Sequence, residues 1–240
     1  MKRITILLLI VLVLSSCQPI EYGTVQREFE RAVQVDNSRV VSPFTDGAAD
    51  FSAVIEKLTP EHIEKLDPRL QPNAWMLRGI SAWRSGKWKM ATDASRNGLD
   101  LNPPAGSRDA VLLTMLPGMV FESQTLEKWA AVPVKNEDEY NKLRDDMSSA
   151  WEKLVTAENT INAVTPASTE YYLHYQKWRV AMNWGQMIID ASQDDFDKVV
   201  VMNEWAKDKG GVKADLNTAA EKAKGKVKGS LRDLIDAQSR

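Results

Sequence analysis

The chain is poor in the residues that carry most enzymatic and metal chemistry. Its 240 residues include one cysteine, Cys17, and two histidines, His62 and His174. A single thiol forms no internal disulfide, so the fold must rest on packing alone. The histidines lie far apart, no HExxH occurs, and neither has ligand spacing to another histidine, so no metal site is expected. His62 falls in a solvated first helical turn and His174 among aromatics, both structural settings. No Gly-x-Ser-x-Gly elbow or phosphate loop is present. Asp145-Asp146 and Asp194-Asp195 are adjacent acids that need not share a helix face, and they read as solvated charge. Lysine and arginine (31) nearly balance aspartate and glutamate (33), for a net charge of −2. That balance makes no case for nucleic acid as a partner. No alternating apolar–polar run suggests a sheet. These absences predict a non-enzyme with no cofactor.

One apolar run stands out, Ile4 to Leu14, too short to span a bilayer as a mature helix. Lys2 and Arg3 precede it, and Leu14-Ser15-Ser16-Cys17 follows. A basic start, a short apolar stretch and small residues before a cut site mark a secretory signal. An ordinary cleaved signal and a membrane-anchoring helix are the alternatives. The segment resembles the lipobox of bacterial lipoproteins. The resemblance implies that Cys17 is diacylated, that the signal is removed just before it, and that the new amine is acylated. Several acyl chains, at about 0.8 kcal/mol per buried methylene, anchor far more firmly than one. The family's inner-membrane retention signal is Asp after the cysteine; Gln18 stands there, which implies the outer membrane, facing the periplasm, in a double-membraned bacterium. The expected organisation is a removed signal over 1–16, a lipidated tether over 17–23 and one helical domain over 24–240.

The rest reads as helices. Val25, Phe29, Ala32 and Val33 lie on one helix face, as do Phe51, Val54, Ile55 and Leu58. Ser38 to Asp46, with Pro43, reads as a loop. Thr59-Pro60-Glu61 is a helix start, ending near Asp67-Pro68. Asn73 to Pro103 contains two helical stretches around Gly86. Ser107 to Trp129 should be helical but kinked or split at Pro117-Gly118. Asn136 is an N-cap followed by Glu137, Asp138 and Glu139. A long stripe then runs from Tyr140 to Val164. Pro166 stops it, and Ser168 or Thr169 opens a helix carrying Tyr171, Tyr172, Tyr175, Trp178, Met182, Ile188 and Ile189. Asp195–Lys209 and Lys213–Ala237 complete the set. The expected fold is all-α, with antiparallel helix pairs; the eight Trp and nine Met suit its core.

Within Asn73–Pro103, Trp75, Gly79, Gly86, Trp88, Ala91, Gly98, Leu99, Leu101 and Pro103 fall, without a gap, where they resemble a tetratricopeptide repeat, a helical hairpin of about 34 residues. Arg78 stands where Leu is expected, Ala82 for an aromatic and Ser95 for Phe. Phe29 to Asp36 weakly resembles the end of another repeat. The resemblance implies a solenoid-like fragment with additional packing helices, since one unit cannot bury both faces. It also implies a concave groove that takes protein segments. Carried over by position, its lining is Asn73, Met76, Ile80, Trp83 and Arg84. The alternative is that Met76, Ile80 and Trp83 pack on a neighbouring helix.

A second candidate surface is Tyr171, Tyr172, Tyr175 and Trp178, aromatics that serve interfaces as well as cores. Lys222, Lys224, Lys226 and Lys228 spread around a polar helix side, either solvated or facing an anionic partner. The expected function is a membrane-tethered scaffold that holds another envelope protein. A small-ligand carrier or accessory component of a solute transporter is the alternative.

Overall fold

A computed structural model describes residues 22–35 and 49–191, and every regular element among them is an α-helix. In chain order these are α1 over 22–35, α2 Ser52–Lys57, α3 Pro60–Ile63, α4 Gln71–Arg84, α5 Trp88–Asp100, α6 Arg108–Ala130, α7 Glu137–Glu158 and α8 Ala167–Ala191. Cys17, the Ser38–Asp46 loop, the expected helices Asp195–Lys209 and Lys213–Ala237 and the four lysines on the latter lie outside the described residues.

Local chemistry sets the helix starts. The side chains of Thr59, Ser107 and Asn136 accept hydrogen bonds from the backbone N–H groups of His62, Ala110 and Glu139. Each cap satisfies one donor that has no partner inside the helix. Glu137, Asp138 and Glu139 fill the first turn of α7, favourable at the positive end of its dipole.

The long helices form two layers. Helix α4 packs on α6 and α6 on α8, while α5 packs against α4 and α6 and α7 against α6 and α8. Central α6 is therefore apolar around most of its circumference, with Leu113, Met115, Leu116 and Met119 fully buried. Burying a side chain of this size stabilises by about 1.5–3 kcal/mol. Outer α5 is amphipathic and buries only Ala91, Ala94, Ser95 and Gly98.

The α4–α5 hairpin follows the sequence reading. Gly86 turns the chain with φ +69°, a conformation costly for residues with a Cβ. Gly79 is a close approach: a Cβ there would stand 2.5 Å from Leu116 Cδ2 and 3.3 Å from Ala94 Cβ. Helix α6 is continuous through Pro117 rather than split. Pro117 has no N–H for the carbonyl of Leu113, four residues earlier. Ser95 of α5 supplies the missing donor, its hydroxyl 2.7 Å from Leu113 O. The departure at Ser95 from the repeat pattern thus answers the proline in the next helix.

Helix α1 includes Tyr22 and Gly23, assigned to the tether by sequence; Tyr22 is buried. Folding this segment onto the domain hides Val25, Phe29 and Ala32, with Phe29 against Phe51, ring centroids 6.0 Å apart. The stripe on α7 stops sooner than expected. The helix ends at Glu158, and Val164 is 71% exposed beyond it. Helix α8 begins directly after Pro166, and Thr169 is already within it, buried.

Candidate functional site

Helices α4, α6 and α8 place their facing side chains along one inner layer. The predicted groove residues all come from α4, and they divide. Met76, Ile80 and Trp83 are buried, so they join helices rather than line an open groove. Their i, i+4, i+7 spacing puts them on the face that meets neighbouring helices. Asn73 is a junction: its Oδ1 accepts from Tyr22 Oη at 2.5 Å and Gln26 Nε2 at 3.3 Å, and its Nδ2 donates to Asp109 Oδ1 at 2.7 Å. Only Arg84 is exposed.

Trp83 and Arg84 form one edge of a polar cluster. Trp83 Nε1 donates to Met119 O at 3.1 Å and Ser123 Oγ at 2.9 Å, fixing the indole against α6. The Arg84 guanidinium carbon lies 4.4 Å from the centroid of the Trp83 ring, and that of Arg179, from α8, lies 5.3 Å from it. Both distances suit cation–π attraction. Next to them, Glu122 is fully buried and accepts from Arg179 Nη2 and, at 2.7 Å, from Asn183 Nδ2. Burial pushes the Glu122 carboxyl above its usual range, and Arg179, Asn183 and Arg84 pull it partly back.

Glu122, Ser123, Arg179 and Asn183 escaped the sequence reading. Their available signal was a lone acid within the apolar run of α6 and an Arg/Asn pair four residues apart on α8. A second tie follows further along α8, where Asp190 accepts from Trp129 Nε1 at 3.2 Å and from Gln186 Nε2 at 2.7 Å. The inner layer is therefore a pre-arranged polar junction, pinned by side chains from three helices, with exposed Arg84 and partly exposed Arg179 at its edge.

The aromatic set on α8 also divides. Tyr172 and Trp178 pack against the core, and Trp178 Nε1 is buried with no hydrogen-bond partner among the described residues. Tyr175 pairs with Trp178, ring centroids 5.7 Å apart. Tyr171 is half-buried, and burial, then Tyr172 and Tyr175, push its phenol up. His174 is buried, its Nδ1 3.7 Å from Glu158 Oε1, with Lys177 Nζ 2.8 Å from Glu158 Oε2. His62 sits in the first turn of α3. No group of His, Cys, Asp or Glu among the described residues could hold a metal.

Comparison with known families adds the membrane end of the molecule. Residues 1–18 match the model of the prokaryotic membrane lipoprotein lipid attachment site, which contains Cys17. The chain is thus membrane-anchored through lipid at this cysteine. No described helix is long and apolar enough to cross a membrane. No curated protein and no solved structure matches the chain.

Proposed function

We propose that this lipoprotein is a non-catalytic scaffold of the bacterial envelope, whose inner α4–α6–α8 face holds a segment of another envelope protein. The observation that carries this reading is the cluster at Trp83. Two arginines from different helices meet one indole, while Glu122 and Asn183 hold one of them in place. Such pre-organisation lowers the ordering cost of binding, and Arg and Trp are the side chains that anchor protein interfaces. The tetratricopeptide-like hairpin Asn73–Pro103 supports the same reading, since that family binds segments on its inner helices.

The scaffold works at the outer membrane, on its periplasmic face, because Gln18 stands where the retention signal has Asp. Membrane fractionation tests this. Wild type should sediment with outer membrane, and Gln18→Asp should move it to the inner membrane. Crosslinking in cells tests the scaffold. One dominant envelope protein should be captured, and Arg84→Glu should reduce that capture at least about ten-fold with helicity unchanged. Trp83→Ala is the poorer probe, because it also removes a buried ring. Equal capture by Arg84→Glu would overturn the inner-face assignment.

A further inference from the structure

The outer side of the α4–α5 hairpin carries a cavity of about 580 Å³ that the scaffold reading does not use. It begins with Arg78, an arginine where the repeat pattern has an apolar residue. Arg78 is 9% exposed, and its Nη1 donates to Ile55 O at 2.7 Å and Leu58 O at 2.6 Å. One nitrogen therefore caps the C-terminal carbonyls of α2, which no residue inside that helix can satisfy. A guanidinium has five N–H donors. Nε and Nη2 have no hydrogen-bond partner among the described residues, and neither is sealed from solvent. Arg78 lines the cavity, and these nitrogens are the ones left for a ligand there.

The other walls fit a ligand with two ends. Trp75, Trp88 and Met90 give an apolar side. Trp88 is held by its Nε1, which donates to Glu127 Oε2 at 3.1 Å. Lys87, Lys89 and Arg96 add positive charge, and the one carboxylate of the lining, Asp93, pairs with Lys89 at 2.5 Å and Arg96 at 3.1 Å. Glu61 lies near enough to attract Arg78. Positive charge dominates the lining. The volume lies in the range of small-molecule sites, which combine apolar walls with a few placed polar groups.

We propose that this cavity binds a small organic anion, a carboxylate or phosphate monoester with a flat apolar body. The anion meets Arg78 and the Lys87/Arg96 rim, and the body rests on Trp75 and Trp88. A planar guanidinium with Nε and Nη2 on offer suits a two-oxygen anion. The same chemistry is available from a free solute and from a lipid phosphate headgroup.

The test is calorimetric titration of the lipidated protein in phosphatidylcholine nanodiscs with 2-naphthyl phosphate, with empty nanodiscs subtracted. Binding should be at least about ten-fold tighter than for inorganic phosphate or 2-naphthol, which each carry half of the recognition. Lys87→Glu with Arg96→Glu, both on the exposed rim, should weaken binding about ten-fold, and Arg78→Leu should abolish it. Should Arg78→Leu fail to fold, the rim variant still decides. Equal affinity in the rim variant, or equal binding of naphthol and naphthyl phosphate, would overturn the site. Replacing part of the phosphatidylcholine with phosphatidic acid separates the sources. Competition assigns a headgroup and unchanged affinity a free anion, and either result upholds the pocket. The rim variant should leave partner capture through Arg84 intact.

Discussion

Two ion pairs tie α8 to its neighbours, and they are built in opposite senses. In the pair with α6 the acid is hidden: the Glu122 side chain is 1% exposed and Arg179 is 26% exposed. In the pair with α7 the base is hidden: Lys177 is 8% exposed and Glu158 is 34% exposed. The buried member carries the desolvation cost, and the exposed member offsets it. Losing the exposed partner should therefore hurt more than neutralising the buried one, although the exposed residue looks like the lesser contributor.

Arg179→Met should have the largest effect, because it strands a buried carboxylate. A loss of about 3–5 kcal/mol is expected in urea unfolding. Glu122→Gln should cost clearly less, and the double variant Glu122→Leu/Arg179→Met should recover most of the loss. A double variant no better than Arg179→Met would break the argument. On the other side, Glu158→Gln should cost about 1–3 kcal/mol. The Lys177 ammonium retains the Trp151 ring at 5.1 Å, which softens the loss. Lys177→Met should be milder still. The reverse order in thermal melts would mean that exposure does not set the sign of this asymmetry.

A neutral contact sharpens the comparison by leaving charge out. Ser95→Ala removes only the hydroxyl that serves Leu113 O, and about 1–2 kcal/mol should be lost. In a Pro117→Ala background the helix supplies its own N–H, and the same substitution should become nearly neutral. A full loss in both backgrounds would mean that the hydroxyl matters for packing instead.

The smallest effect is a pH slope. The folded Glu122 carboxyl is raised above its ordinary 4.5, so the native state holds its proton to higher pH than the unfolded chain. This group's contribution is greatest below 4.5 and falls as pH rises until the folded carboxyl has ionised. Wild type should lose stability relative to Glu122→Gln as pH rises above 4.5, read from urea midpoints. A gain over that rise would contradict the burial argument.

These contrasts show why parts of the molecule were legible in sequence and others were not. The hairpin announced itself locally: Gly86 must turn, and Gly79, Ala91 and Ala94 are small where helices touch. The caps at Thr59, Ser107 and Asn136 depend on nearby residues too. Glu122 and Arg179 are 57 positions apart, and no local rule joins them. Pro117 signalled a break, yet α6 runs through it because Ser95, on another helix, meets the freed carbonyl. The groove positions expose a deeper ambiguity. Apolar residues at helical spacing mark a face that is covered, and Met76, Ile80 and Trp83 are covered by the protein itself. Cys17 was readable because lipid attachment is encoded in a short contiguous stretch.

Tyr22, folded into α1 and buried, sets a leash. Five residue steps separate it from Cys17, a contour of at most roughly 18 Å. Tyr22 meets Asn73 near the start of α4, which meets Asp109 at the start of α6. The starts of both helices are thus moored close to the bilayer surface. A molecule on so short a leash searches a thin sheet of space rather than a volume. A partner of the kind proposed above, if it shared the same membrane, would meet it at a high effective concentration, and a modest intrinsic affinity would then be enough for steady occupancy.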